Sequence, residues 1–329
     1  SSITIGLLVW YGGFNAISSG NISLGTIFLF VQMSQMLFRP LRQIADKFNT
    51  LQMGMVATDR ILGLLATSSN IEDKGTLSAK NLDGDIVFNN VHFSYVAEEK
   101  VLNGISFQIK KGETVAIVGA TGAGKSTIIN LLSRFYDFDK GDITIDGVSI
   151  KDFKLHTLRK ELAVVLQDVF LFADSLYNNI ILFDESISEN EVIQAAKEIG
   201  VHEFIESLPE KYHYDVKERG VLLSSGQRQL IAFLRAYITQ PNILILDEAT
   251  SSVDTYSEEL IQKATSKLTK GKTSIIIAHC LSTVINADRI IVMDQGQIVE
   301  TGSHQELMKF KDGHYAKLYQ IQFAEETTI

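Results

Sequence analysis

The stretch TVAIVGATGAGKST (residues 114–127) decides how this chain folds. Thr114 to Val118 form a short apolar run of the kind that makes a buried strand. Gly119, Gly122 and Gly124 interrupt it, and Lys125, Ser126 and Thr127 lead into a helical pattern, STIINLLSRF. Strand, glycine loop and helix in the order G-x-x-x-x-G-K-[ST] make a phosphate cradle, in which Gly119, Thr121, Gly122, Ala123, Gly124 and Thr127 bring backbone N–H groups around the oxygens. Lys125 is placed to reach the β- and γ-phosphates, and the Ser126 hydroxyl to ligate Mg²⁺. The plainer alternative is a chance match, which occurs in roughly one chain in a hundred of this length at ordinary glycine usage. The correct strand-before, helix-after context makes it rarer still.

Outward from that loop, ILILDEATSSVD (243–254) is an apolar strand ending in two acids, Asp247 and Glu248. Carboxylates at the C-terminal end of a parallel strand face the ligand crevice. Asp247 is expected to hold the Mg²⁺, and Glu248 to polarise the attacking water. VLLSSGQRQL (221–230) places Ser224, Ser225 and Gly226 ahead of a helix marked by Leu230, Leu234 and Ile238, which Pro241 should stop near Gln240. Small hydroxyls and free N–H groups at such a helix start form an anion site. The runs NILILD, TSIIIA and RIIVMD read as parallel strands buried on both faces. DIVFNNVHFSY and ISFQIKKGETVAIVG read as strand–turn–strand about Lys111-Gly112, and GDITIDGVSI as another about Asp146-Gly147. Helical stretches fall around 126–135, 189–199, 226–239 and 256–268. The expected class is α/β, a mainly parallel sheet with an antiparallel portion.

The chain has 329 residues, a net charge of −9 and a single cysteine, Cys280. The acidic balance argues against nucleic acid as the main partner, and one cysteine leaves no internal disulfide and no cysteine-cluster metal site. Residues 1–38 contain no Asp, Glu, Lys, Arg or His. Two buried core helices would be the plainer reading; a run this long without charge is better read as embedded in a bilayer. SSGN (18–21) splits it, leaving residues 22–38 as a 17-residue candidate span and residues 1–17 as the end of another, so the expectation is a chain that starts inside one membrane helix. Arg39, Arg42, Lys47 and Arg60 then place the segment after residue 39 on the cytoplasmic side. The expected division is 1–66 for the membrane helices and their extension, 67–84 for a polar linker, and 85–329 for the nucleotide-binding domain.

From about residue 83 the chain resembles the nucleotide-binding domain of an ATP-binding-cassette (ABC) transporter, a P-loop NTPase core with a helical subdomain. LSSGQ (223–227) is similar to the family signature LSGGQ. The resemblance implies that ATP and Mg²⁺ are the cofactors and that Tyr95, in FSY, stacks on adenine. It implies that Gln167, in VVLQD, senses Mg²⁺ and the γ-phosphate, and that Glu218, in VKERG, contacts coupling helices. It makes Asp254 the D-loop aspartate and His279, in IAHCLST, the switch histidine. It further implies a head-to-tail pair of domains, in which Ser224, Gly226 and Gln227 of one clamp the ATP held by the loop of the other. WYGG followed by GNISLGTIFLFVQMSQMLFRPLRQI resembles the last two membrane helices of exporter-type half-transporters. The partners implied are a second half-transporter, the lipid bilayer and a transported substrate, with the protein integral to the cell membrane and its ATPase domain cytoplasmic. Three positions depart from the family pattern: Ser225 stands in place of the signature's first glycine, Lys217 in place of a glycine before Glu218, and Cys280 in place of an arginine after His279. A serine would be strained if position 225 required positive φ.

Two other classes compete. A non-transport ABC ATPase acting on nucleic acid is opposed by the charge-free residues 1–38 and the acidic balance. A regulatory subunit that binds ATP without hydrolysing it is opposed by the presence of both Glu248 and His279.

Overall fold

The computed structural model describes residues 2–19, 22–67, 71–96, 98–247, 255–278, 281–310 and 312–323. The chain divides into two compact units, Ser1–Asn70 and Ile71–Ile329.

The first unit is two helices, α1 (Ser2–Ser19) and α2 (Leu24–Ala66). Ser23 caps α2, its hydroxyl accepting from the Thr26 N–H. The helices meet where Gly12 leaves room for Ile27: a Cβ at Gly12 would lie 3.0 Å from that side chain. At 43 residues α2 is about 65 Å long, and it passes through Pro40 as one helix. Trp10, Phe14, Phe28 and Met36 all stand exposed on this unit. The expectation of a spanning helix meets a limit here: among the described residues no helix is long and apolar enough to cross a membrane. Gly12, Gly13 and Asn15 dilute α1, while Gln32, Ser34 and Gln35, followed by Arg39 and Arg42, dilute α2.

The second unit holds two sheets. One is antiparallel, in the order β2-β1-β4-β5, from β1 (Ile86–Val96), β2 (Glu99–Ile109), β4 (Lys140–Ile145) and β5 (Val148–Ser149). Asp146 and Gly147, both at positive φ, turn β4 into β5 as their sequence suggests. The other runs β10-β9-β3-β8-β7-β6, from β3 (Thr114–Gly119), β6 (Leu162–Val165), β7 (Ile243–Asp247), β8 (Thr273–Ile277), β9 (Arg289–Asp294) and β10 (Gln297–Gly302). Its strands are parallel except β10, which pairs antiparallel with β9. The turn at Lys111-Gly112 therefore does not make a hairpin. It carries the chain from β2 in one sheet to β3 in the other, where β3 lies between β8 and β9.

The helices are α3 (Lys125–Leu132), α4 (Leu155–Glu161), α5 (Leu176–Ile181), α6 (Glu189–Ile199), α7 (His202–Glu206), α8 (Ser225–Ile238), α9 (Thr255–Thr269), α10 (Leu281–Asn286), α11 (His304–Leu307) and α12 (His314–Phe323). The parallel sheet is buried on both faces, and alternation along β3 sorts its side chains between two cores. Val115 and Ile117 join Ile128 and Leu132 of α3 and the inner face of the antiparallel sheet. Ala116 and Val118 join α5, α6, α8 and α9 on the other side. Neither face of this sheet's parallel strands is left to water, which is why they read as continuous apolar runs.

The polar segment expected as a linker is largely part of the second unit. Thr76 and Leu77 donate their N–H groups to the Asp152 carbonyl, and Ala79 and Leu82 are buried. The guanidinium of Arg134, 2% exposed, donates to the Ile150, Phe153 and Glu72 carbonyls and so holds residue 72 against the segment after β5.

Candidate functional site

The phosphate loop forms because two of its glycines occupy positions no other residue fits. At Gly119, φ is +155° and a Cβ would stand 2.2 Å from the Met293 carbonyl oxygen. Gly124 precedes α3 at φ +98°, the left-handed region, where a Cβ would come within 2.8 Å of Leu102. The loop leaves β3 at the centre of the parallel sheet and returns as α3, so the unpaired N–H groups at the head of α3 face the C-terminal ends of the strands. Lys125 folds back over the loop, its Nζ donating to the Gly119 carbonyl at 2.7 Å and the Ala120 carbonyl at 2.9 Å. Burial lowers the Lys125 ammonium from the usual lysine value, and the nearby Asp247 carboxylate pulls it back up.

Asp247 ends β7, on the far side of β8 from β3, and is 9% exposed. The Ser126 hydroxyl lies 3.5 Å from its Oδ2. A hydroxyl and a carboxylate facing each other beside a lysine make a set of hard oxygen donors, the donor type that suits Mg²⁺. Gln167 is exposed two residues past the end of β6, whose Val165 lies opposite Leu246 of β7, so the Gln167 segment leaves the sheet next to Asp247. Tyr95 reaches the same neighbourhood from β1: its hydroxyl is 3.3 Å from Oγ1 of Thr127, a residue otherwise buried in α3. The structure thus brings residues 119–127, Asp247, Tyr95 and the Gln167 segment to one end of the unit.

Ser224, Gly226 and Gln227 have their own place at the head of α8. Ser224 is the N-cap, and its hydroxyl accepts from the Gln227 N–H at 3.2 Å while Gln227 Oε1 accepts from the Ser224 N–H at 3.0 Å. Ser224 and Ser225 are exposed and Gly226 is buried. Ser225 does not take positive φ, so the strain that a serine would suffer there does not arise. The helix ends at Ile238, two residues before the expected stop at Gln240. Strain appears instead just upstream. Lys217 sits at φ 62°, ψ −178°, a region that is almost exclusively glycine's. Glu218 is exposed beside it. Glu248, Asp254, His279 and Cys280 lie outside the described residues.

Two side chains at the site carry no motif and were not expected. Asn130 and Tyr136, four and ten residues past Ser126, both touch Tyr95. The aromatic pair Phe135-Tyr136 just after an amphipathic helix was the only signal the sequence offered for them.

Comparison with known proteins agrees with this geometry. Residues 102–251 match the sequence family described as ABC transporter. An uncharacterized ABC transporter ATP-binding protein, YknV of Bacillus subtilis, is 43% identical over 325 residues, 98% of this chain and 54% of its own length. A probable multidrug resistance ABC transporter ATP-binding/permease protein of the same organism, YheH, is 43% identical over 98% of this chain and 48% of its own. An ATP-dependent lipid A-core flippase of Syntrophus aciditrophicus is 41% identical over 98% of this chain and 54% of its own. Among solved structures, a bacterial Atm1-family ABC exporter with ATP bound superposes with a TM-score of 0.74 at 36% identity, covering 98% of this chain and 57% of that one. The chain spans about half the length of the curated relatives it matches. With its glycine loop, facing serine and aspartate, and capped signature helix, this chain belongs to the ABC transporter family and carries that family's ATP-binding domain.

Proposed function

We propose that the chain is the ATP-binding and ATP-hydrolysing subunit of an ABC exporter, coupling ATP hydrolysis to the export of a drug, lipid or peptide across a membrane. The observation that carries this reading is the Ser126–Asp247 pair, 3.5 Å apart beside Lys125 where β7 ends and α3 begins. Lys125 exchanges its two loop carbonyls for the β- and γ-phosphate oxygens of ATP, and the N–H groups of Gly122, Gly124 and the head of α3 close around the rest. Tyr95 takes the adenine ring. Ser126, Asp247 and Gln167 would hold Mg²⁺, which when bound neutralises charge on the transferring phosphoryl group. Glu248 would orient and deprotonate the attacking water, His279 would fix the γ-phosphate against it, and Asp254 would serve as the D-loop aspartate. Ser224, Gly226 and Gln227 meet the γ-phosphate of an ATP held by the other domain, contributed by a second half-transporter.

For the first unit we propose a place in the cell membrane, with the second unit cytoplasmic. Residues 1–38 carry no charged group, and most of their large apolar side chains, Trp10, Phe14, Phe28 and Met36 among them, are exposed. Helices diluted by Asn15, Gln32 and Gln35 suit a bilayer in which they pack against further helices. Relatives whose names include permease or flippase support the same placement.

The test is Glu248→Gln. The amide keeps the shape and loses the basicity, so ATP binding and closure should persist while phosphate release falls roughly hundred- to ten-thousand-fold, as for loss of a general base. Size exclusion with ATP and Mg²⁺ should show a long-lived dimer. Near-normal phosphate release would remove Glu248 from this role.

A further inference from the structure

The ring of Tyr95 is held from four sides, three of them by groups to which no nucleotide role is assigned. Tyr95 stands near the end of β1, beyond the last pairing of that strand with β4 at His92↔Lys140. It is 46% exposed, and a ring in such a place would ordinarily sample several rotamers. Here Asn130 Nδ2 donates to its hydroxyl at 2.9 Å. The same hydroxyl shares a second hydrogen bond with Thr127 Oγ1, 3.3 Å away. Phe93, buried, meets the ring at 4.8 Å and 86°. Tyr136 meets it at 5.0 Å and 88°, and Tyr136 and Phe93 also pack edgewise on each other at 5.8 Å. Perpendicular aromatic contacts at these separations are attractive beyond their buried area.

The support is rigid in its turn. Tyr136 follows α3 through a turn in which Phe135 N–H donates to the Asn130 carbonyl at 2.8 Å. Arg134 in the same turn is anchored by its buried guanidinium. Asn130 and Thr127 are on α3 itself, one turn apart. The helix that opens at the phosphate loop therefore also fixes the aromatic ring, so the distance between the phosphate cradle and the base platform is built into one rigid element.

We infer that Tyr136 and Asn130 are positioning residues that set Tyr95 for the nucleobase before the nucleotide arrives. This rests on the nucleotide reading of the site. A platform frozen in advance spares the ligand the cost of ordering it, so the two residues raise affinity through the base alone and leave the phosphate contacts untouched.

The experiment measures binding of two probes, MgATP and Mg-tripolyphosphate, to the purified full chain by calorimetry or competition. Tyr136→Ala should weaken MgATP about three- to tenfold, the worth of an aromatic pair, and leave tripolyphosphate unchanged. Tyr136→Phe keeps the ring and should bind both probes as the parent does. Asn130→Ala should weaken MgATP in the parent and have no further effect in a Tyr95→Phe background, where the hydroxyl it holds is gone. Equal weakening of both probes by Tyr136→Ala would make Tyr136 a support of the loop and overturn the inference, as would unchanged MgATP binding. Lys125→Ala separates the two possible failures. Loss of both probes keeps the nucleotide reading intact, and retention of both overturns that reading together with the inference built on it.

Discussion

The phosphate loop and the signature segment both stand at the head of a helix, and they treat that position in opposite ways. Gly124 at the start of α3 has no side chain and makes no capping bond. At the start of α8, Ser224 and Gln227 close a complete capping box on each other. The first N–H groups of a helix have no partner inside it, so the head of α3 is open to a ligand while that of α8 is already partly sealed by its own residues. Backbone conformation differs in the same sense. Around the loop, positive φ falls on Gly119, Gly122 and Gly124; on the approach to the signature it falls on Lys217 and Arg219 as well as Gly220. One helix head is shaped to receive and is incomplete alone. The other is self-sufficient, which agrees with the proposal that its phosphate would be delivered by a second domain.

The strongest way to break this contrast is to remove the receiving charge. Lys125→Ala deletes the ammonium that bridges the Gly119 and Ala120 carbonyls. A hydrogen bond to a charged group is worth about 1.5–3 kcal/mol, so ATP affinity should fall roughly ten- to two-hundredfold and turnover with it. Unchanged affinity would mean that the loop does not hold the triphosphate. Ser224→Arg addresses the other head. It should leave the ATP affinity of the isolated chain within about twofold while phosphate release drops to background. It also loses the cap, at a cost of about 0.5–2 kcal/mol, so the thermal midpoint is read alongside. If affinity collapsed while dimerisation stayed normal, both heads would serve one site within one chain.

The loop was legible because its pattern constrains the backbone directly: glycines at the positive-φ positions, then lysine and serine at fixed offsets. Asp247 was legible from a strand that ends in acid. The aromatic support of Tyr95 was not, since Asn130 and Tyr136 meet it only after β1 and α3 have packed. The turn at Lys111-Gly112 announced itself correctly, but a turn does not say whether the strand after it pairs with the strand before it, and here it does not. Strand β6 hid behind its length: four residues squeezed between α4 and the Gln167 segment. Residues 71–84 looked like a linker because their side chains are polar. What holds them is their backbone, through the Asp152 carbonyl and Arg134, together with the buried side chains of Ala79 and Leu82.

Two positions near the signature carry a side chain where the family pattern has glycine, and the structure assigns them opposite signs. Lys217 is at φ 62°, ψ −178°, where a residue with a Cβ costs about 1–3 kcal/mol. Its N–H and Nζ both bond the Asp215 carboxylate, at 2.9 and 2.6 Å. The Nζ bond is exposed and worth little, and glycine would keep the N–H bond. Against the relieved strain stands the extra freedom glycine gives the unfolded chain, about 0.5–1 kcal/mol. Lys217→Gly should therefore stabilise the domain by about 1 kcal/mol and raise its thermal midpoint by about 2–4 °C. A lower midpoint would show that Lys217 is held there without strain.

Ser225 is the converse case and the smallest effect. It begins α8 with ordinary helical backbone, so a glycine has no strain to relieve there. In a helix glycine is about 0.5 kcal/mol less favourable than serine, and Ser225→Gly should lower the midpoint by about 1–2 °C. The Ser224–Gln227 capping box does not involve the Ser225 side chain and should survive, so ATP binding by the isolated chain should not move. The pair of substitutions is more informative than either alone: both install the glycine of the family pattern, and only the backbone conformation separates them. If Ser225→Gly stabilised the domain as much as Lys217→Gly, resemblance to the family pattern would be the better guide to stability here, and the φ values at 217 and 225 would have no bearing on it.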